Sequence, residues 1–348
     1  TATLSWHQLG GGSATATIGL ATNTQHTISI SAVNGDSTAT STYSSTASMY
    51  TMGAVPNAAT LSTVGQQTLR ITMATDTNPS ANTTYVVRDT NANVGLRYLQ
   101  TDATWGVATA TLSWHQLGGG AATSTIGLAT STSHTISIAA VNGDNTASSS
   151  YSSTVTLSTL AATPVAPSAV TSTLATTLAI TINATTINSN PTSSTVSFIV
   201  RDTASGTLFL QSNGTWGATT STLTWAQLGS GSATTTTGLT PNTNHIIAVA
   251  AVNQDSTATT TYGATAASYT LATVPSLTFT NDNQVRSITV SWSGGDGTKF
   301  YVENTTDATN SGLINPTTTF ANTGLGCNSS NAYRAYSTNV EGKQSAFS

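Results

Sequence analysis

Trp6 and His7 stand side by side ahead of Gly10, Gly11 and Gly12, in the phrase TLSWHQLGGG at 3–12. An indole that stacks, an imidazole that titrates near neutrality and a turn with free main-chain N–H groups are the parts of a small binding site. The phrase returns unchanged at 111–120, and again at 222–231 as TLTWAQLGSG, where Ala226 replaces the histidine seen as His7 and His115. A unit that keeps the tryptophan and dispenses with the histidine uses the phrase for packing. Leu4 and Trp6 alternate with Ser5 and His7, so leucine and indole share one side of an extended chain and the imidazole falls on the other. A phosphate-binding glycine loop would lead into a helix, and no helical periodicity follows.

Other residue types point to chemistry no more strongly. His26, His134 and His245 recur once per repeat and do not cluster with other ligand types, so no metal centre is expected. Asp36, Asp144 and Asp255 each bring one carboxylate to a turn, where a calcium site needs several oxygens. Arg88–Asp89 and Arg201–Asp202 read as surface salt bridges or turns. The 12 acidic residues are scattered, which excludes a glycosidase-type pair, and no Ser-His-Asp arrangement stands out. The sequence therefore assigns no catalytic, cofactor-binding or metal-ligating residue and predicts a protein that is not an enzyme. Trp105 and Trp216 are the candidates for an exposed ligand or glycan contact. Asn82, Asn183, Asn213, Asn304 and Asn328 lie in Asn-x-Ser/Thr triplets and are candidates for N-glycosylation. Cys327, the single cysteine, reads as a semi-buried small residue or as one half of an intermolecular bridge.

Composition sets the setting. Of 348 residues only 6% are charged, and the net charge is −4. Eight Lys and Arg form no basic face, which excludes nucleic-acid and anionic-membrane binding. No apolar stretch approaches the length of a membrane helix. A surface with so little charge needs another source of hydration, such as O-linked glycans on its many Ser and Thr, or belongs to an insoluble assembly. Both place the protein outside the cell or at its surface.

The elements that would carry these residues repeat. Trp6, Trp114 and Trp225 are 108 and then 111 residues apart, and the histidines, AVNGDS-type turns and Tyr43, Tyr151 and Tyr262 follow in register. Upstream, VVRDT at 86–90 matches IVRDT at 199–203. In HTISISAVN (26–34), His26, Ile28, Ile30 and Ala32 share one face and Thr27, Ser29 and Ser31 the other, the mark of a strand with one buried side. Pro56, Pro167 and Pro275 mark joints. The expected organisation is residues 1–54 as the rear half of a β-sandwich, 55–165 and 166–273 as full repeats, and 274–348 as a shorter, divergent one.

GLTPNTNHIIAVAAVNQDS (238–256) resembles the corner and F strand of a fibronectin type III domain, SITVSWSGG (287–295) its B strand, and KFYVENT (299–305) its C strand. The resemblance implies an all-β chain of tandem antiparallel β-sandwiches in a linear array, a family that mostly supplies spacers and binding modules. The family's corner tyrosine is replaced by His26, His134 and His245, which implies a corner role for these rings; in the last repeat Asn331 or Tyr333 takes that place. The family's B-strand tryptophan survives only as Trp292, with Met73 and Ile182 in its place elsewhere. Trp114 and Trp225 are expected to restore that core volume from a neighbouring strand. Asn34–Gly35 and Asn142–Gly143 suit turns with positive φ.

Residues 1–54, without front strands, would expose an apolar face and unpaired edges. Either upstream chain or another subunit is expected to complete them, by strand complementation in the latter case. The functional expectation is a structural subunit or segment of an extracellular filament, sheath or surface appendage, its partners being copies of itself. An adhesin or carbohydrate-binding array, or the spacer of a secreted enzyme, are the alternatives.

Overall fold

A computed structural model describes all residues except Thr1, 92–94, 193–195, Ser205, 281–285 and Pro316. The alternation seen in the sequence forms strands, and every pair of named strands is antiparallel. The chain divides into two units, Thr1–Thr159 and Leu160–Ser348.

The first unit opens with β1 (Gln25–Ile28) and β2 (Ala47–Tyr50), which pair only with each other among the described residues. A complete sandwich follows. β3 (Thr60–Thr63), β4 (Leu69–Thr72) and, later in the chain, Thr123–Ser124 make its three-stranded sheet. The opposite sheet is built on β5 (Thr84–Asp89), with β6 (Arg97–Leu99), β7 (Trp105–Gly106) and β8 (Leu112–Ser113) forming the extra hairpin and the start of the Trp phrase. After β9 (Thr123–Ser124), β10 (Ser133–Val141) returns beside β5, and β11 (Val155–Ser158) closes the sheet. Leu61, Ile71 and Met73 from one sheet meet Tyr85, Val87, Leu99, Ile136, Ile138 and Ala140 from the other in one core.

The second unit repeats this plan and then abbreviates it. β12 (Ala169–Leu174) and β13 (Thr177–Thr181) lie in one sheet. β14 (Ser197–Asp202), β15 (Leu208–Leu210), β16 (Trp216–Gly217) and β17 (Leu223–Thr224) lie in the other. β18 (Ala233–Thr236) joins the first of these sheets, while β19 (Asn244–Val252) and β20 (Ala266–Tyr269) complete the second. Among the described residues the last repeat has β21 (Ser276–Thr280), β22 (Ser287–Ser293), β23 (Lys299–Asn304), β24 (Thr319–Thr323) and β25 (Tyr333–Thr338), without the hairpin. The architecture is thus all-β, with tandem sandwiches of the fibronectin type III kind of strand order.

The tryptophans trade places as the sequence implied. Trp114 packs against the first core with its ring 6.3 Å from Tyr85, and Trp225 lies 6.5 Å from Phe198. Met73 and Ile182 are buried in the B-strand position. In the last repeat Trp292 itself sits 5.5 Å from Phe300. Trp114 and His115 lie in a turn rather than an extended strand, both beside Gly119, and His115 is exposed. The glycines close a tight turn, with Gly118, Gly119 and Gly120 at φ of 85°, 59° and 95°.

Each linker is clamped by a side chain of the repeat it enters. Ala54 exchanges two hydrogen bonds with the amide of Asn78, and Ala162 does the same with Asn190. Thr273 N–H donates to Asp296. Pro56, Pro164 and Pro275 stand two residues beyond these points, so the second clamp lies by Pro164 rather than by Pro167. A second pin is Asn23, fully buried, whose amide donates to Asn82 O (3.2 Å) and Thr83 Oγ1 (2.6 Å) and accepts from Gly143 N–H (2.8 Å). Asn242 does the equivalent in the second unit, donating to Asp296 O and accepting from Val340 N–H.

Candidate functional site

Two places bring polar side chains together in ways the sequence did not declare, and a third exposes the apolar residues of 2–54. The first is a pair of buried His–Asp contacts. His134 Nδ1–H donates to Asp89 Oδ2 at 2.6 Å, and His245 Nδ1–H to Asp202 Oδ2 at 2.5 Å. The four side chains are at most 1% exposed. The remaining oxygen of Asp89 accepts from Thr135 N–H (2.9 Å) and Asn91 N–H (3.0 Å), and that of Asp202 from Ile246 N–H and Ala204 N–H. Burial pushes the Asp202 carboxyl up, but the hydrogen bonds from His245, Ala204 and Ile246 and the electrostatic attraction of His245 outweigh it, and the group lies below the usual carboxylate range.

This corrects the surface salt bridge expected at Arg88–Asp89 and Arg201–Asp202. The aspartates turn inward to the corner histidines. The arginines turn outward, stacking over Tyr151 and Tyr262 at 3.5 and 3.6 Å from the ring centroids. In the last repeat the same place is held by a neutral pair, Asn304 Nδ2 donating to Asn331 Oδ1 at 3.0 Å. Asn304 lies opposite Tyr333 as Asp89 lies opposite Ile136, so Asn331, not Tyr333, is the corner residue. The signal for these pairs was in the sequence: both partners change together, and only where one does.

The second place is a cavity of about 300 Å³ beside Trp105, lined also by Asp89, Arg97, Leu128 and His134. Trp105 and Trp216 are neither flat surface platforms nor fully buried; their rings pack against the cores and are partly exposed. The indole N–H groups of both, and His134 Nε2, are buried without a protein partner. Among the described residues no three His, Cys, Asp or Glu converge on a metal position. Asp36, Asp144 and Asp255 each accept from the hydroxyl of the threonine two residues on, which fixes their turns. Positive φ falls at Ser37, Asn145 and Ser256, not at Gly35 or Gly143.

The glycosylation candidates separate by burial. Asn82, Asn213 and Asn328 are exposed, Asn183 is half-buried with its Oδ1 on Thr186, and Asn304 is fully buried and committed to Asn331. Cys327 is exposed and free, not semi-buried.

No protein-family model matches the chain. No curated protein matches it either. Among solved structures it is similar to the crystal structure of the chicken CNTN1 FN1–FN3 domains, with 14% identity, TM-score 0.26, 84% of this chain and 96% of that one covered.

The third place is the face of residues 2–54. Leu4, Trp6, Leu9, Leu20, Ile28 and Ile30 are all exposed, Ile28 by 56% and Ile30 by 61%. Their counterparts Leu112, Leu117, Leu128, Ile136 and Ile138 are buried, and Trp114 is core-packed. The local structure does not need that burial: Gly11 N–H still bonds Trp6 O and Leu9 N–H bonds Ser5 O, as Gly119 and Leu117 do with Trp114 and Ser113. Covering a Leu, Ile or Trp side chain fully is worth about 1.5–3 kcal/mol.

Proposed function

We propose that the chain is a structural segment of an extracellular assembly, a filament, sheath or surface appendage built from fibronectin type III-like repeats. The observation that carries this reading is the double fastening of one repeat to the next within each unit: linker clamps by Asn78 and Asp296, and side-chain pins by the buried Asn23 and by Asn242. Linkers held this way transmit load and orientation, whereas flexible joints suit independent binding modules. The low charge and the exposed Ser and Thr support a glycosylated surface, with O-linked sugars supplying hydration. Association with copies of itself and an extracellular location belong to the same proposal. Immunogold labelling of the cells that make the protein tests it: label on extended surface structures is expected, and label confined to the cell interior overturns it.

The cavity beside Trp105 supports a second reading, an array that binds small sugars or peptides. A glycan array probed with the chain and its Trp105→Ala variant decides this: a hit lost in the variant supports it, and none removes it.

A further inference from the structure

We propose that the cavity beside Trp105 takes one acidic sugar unit, a pyranose that carries a carboxylate, and that Arg97 selects for that carboxylate. The proposal rests on the ligand-binding reading of this cavity and gives it a substrate class.

The cavity has a buried floor and an exposed rim. Asp89, Leu128 and His134 are buried, Arg97 and Trp105 are half-buried, and Gly127 is exposed. A Cβ at Gly127 would meet nothing within 4 Å, so the rim leaves open space there. The volume of about 300 Å³ lies at the small end of ligand pockets, which suits one sugar ring rather than a chain.

The polar groups of the lining narrow the class. Asp89 is largely spent: Oδ2 accepts from His134, and Oδ1 from Thr135 N–H and Asn91 N–H. A cationic or purely donating ligand finds little to accept its protons there. Arg97 is the one Lys or Arg in the lining. It stands on β6 opposite Asp89 of β5, and its guanidinium offers several N–H donors in a planar fork, enough to serve a carboxylate beside its protein partners. His134 gives Nδ1–H to Asp89, so the neutral ring presents Nε2 as an acceptor. That atom is buried without a protein partner and is placed to take the proton of a sugar hydroxyl. Trp105 supplies an apolar ring for the C–H face of the sugar. A carboxylate, hydroxyls and an apolar ring face occur together in a uronic acid.

The second complete repeat supplies the comparison. Trp216 and His245 hold the places of Trp105 and His134. Leu208, however, stands opposite Asp202 where Arg97 stands opposite Asp89, and His245 Nε2 lies 3.4 Å from Thr240 O. The indole N–H of Trp216 is as unpartnered as that of Trp105, so this feature belongs to the hairpin. The guanidinium and the unpartnered imidazole nitrogen are what set the first repeat apart.

The test titrates the ¹⁵N-labelled full chain with galacturonate as the probe and galactose as its neutral counterpart. The readout is the Trp105 indole N–H resonance, assigned with Trp105→Phe. A saturable shift with galacturonate is expected, with galactose binding at least about tenfold more weakly. Arg97→Leu, which installs the residue of the second repeat, should lower galacturonate affinity about tenfold. Unmoved resonances of the other tryptophans will show that this variant folds. Equal binding of the two sugars, or no effect of Arg97→Leu, overturns the proposal and leaves the ligand-binding reading standing. An equal response to inorganic phosphate marks an anion hole without sugar recognition and also overturns it. No shift with either sugar overturns it too, and an empty glycan array then removes the ligand-binding reading as well.

Discussion

His134 Nδ1 lies 2.6 Å from Asp89 Oδ2, and neither side chain reaches solvent. The pair joins the end of β5 to the start of β10, and its copy, His245 with Asp202, joins β14 to β19. Removing one partner leaves the other buried and uncompensated. Asp202→Ala is expected to destabilise its repeat by about 3–5 kcal/mol, read from urea unfolding.

The same pair sets a pH dependence. The folded-state pKa of Asp202 is depressed, so its contribution to stability is complete above the ordinary carboxylate value and is lost as pH falls through the lower, folded value. Acid titration followed by circular dichroism should show the repeat around Asp202 losing stability below about pH 4. The variant Asp202→Asn should lose that slope. The last repeat, held by Asn304 and Asn331, should show no such contribution from its corner.

Identical phrases are expected to differ in worth. Trp114→Ala removes a core-packed ring and should cost about 3 kcal/mol, while Trp6→Ala, at a site 69% exposed, should change stability by no more than about 0.5 kcal/mol. Denaturant midpoints of the two variants check this.

Gly143 is predicted to be intolerant for a non-local reason. A Cβ there would lie 2.5 Å from Cε1 of Tyr50, at the joint where Gly143 N–H meets Asn23. Gly143→Ala should loosen the first joint and open residues 51–58 to limited proteolysis, with little change in the unfolding of the repeat itself.

Accessibility gives two further expectations. Cys327 should react fully with a thiol reagent in the native state. In a glycosylating host, peptide mapping should find sugar at Asn213 or Asn328 and none at Asn304.

Much of the fold was legible because strand periodicity is local. The alternation of Ile136 and Ile138 with Thr135 marked the face that packs on the core, but from Ser137 onward both faces of β10 are buried, which the alternation did not show. What was missed depends on contacts between distant residues. Asp89 and His134 are 45 residues apart on different strands, and a charged residue beside an arginine reads most simply as surface. Asn142–Gly143 looked like a positive-φ turn, yet the glycine is needed for the approach of Tyr50 from another repeat, which no local pattern records. Trp105 was legible as an unusual aromatic, but its half-buried setting follows from how the hairpin folds back on the core.

Residues 2–54 expose the apolar positions that their counterparts in the complete repeats bury. Hydrogen exchange on the intact, monomeric chain tests this directly. Amides of Ile28 and Ile30 are predicted to exchange at least about a hundredfold faster than those of Ile136 and Ile138, whose sequence neighbours are the same. Equal protection of the two segments would mean that residues 2–54 close on themselves and would contradict the account.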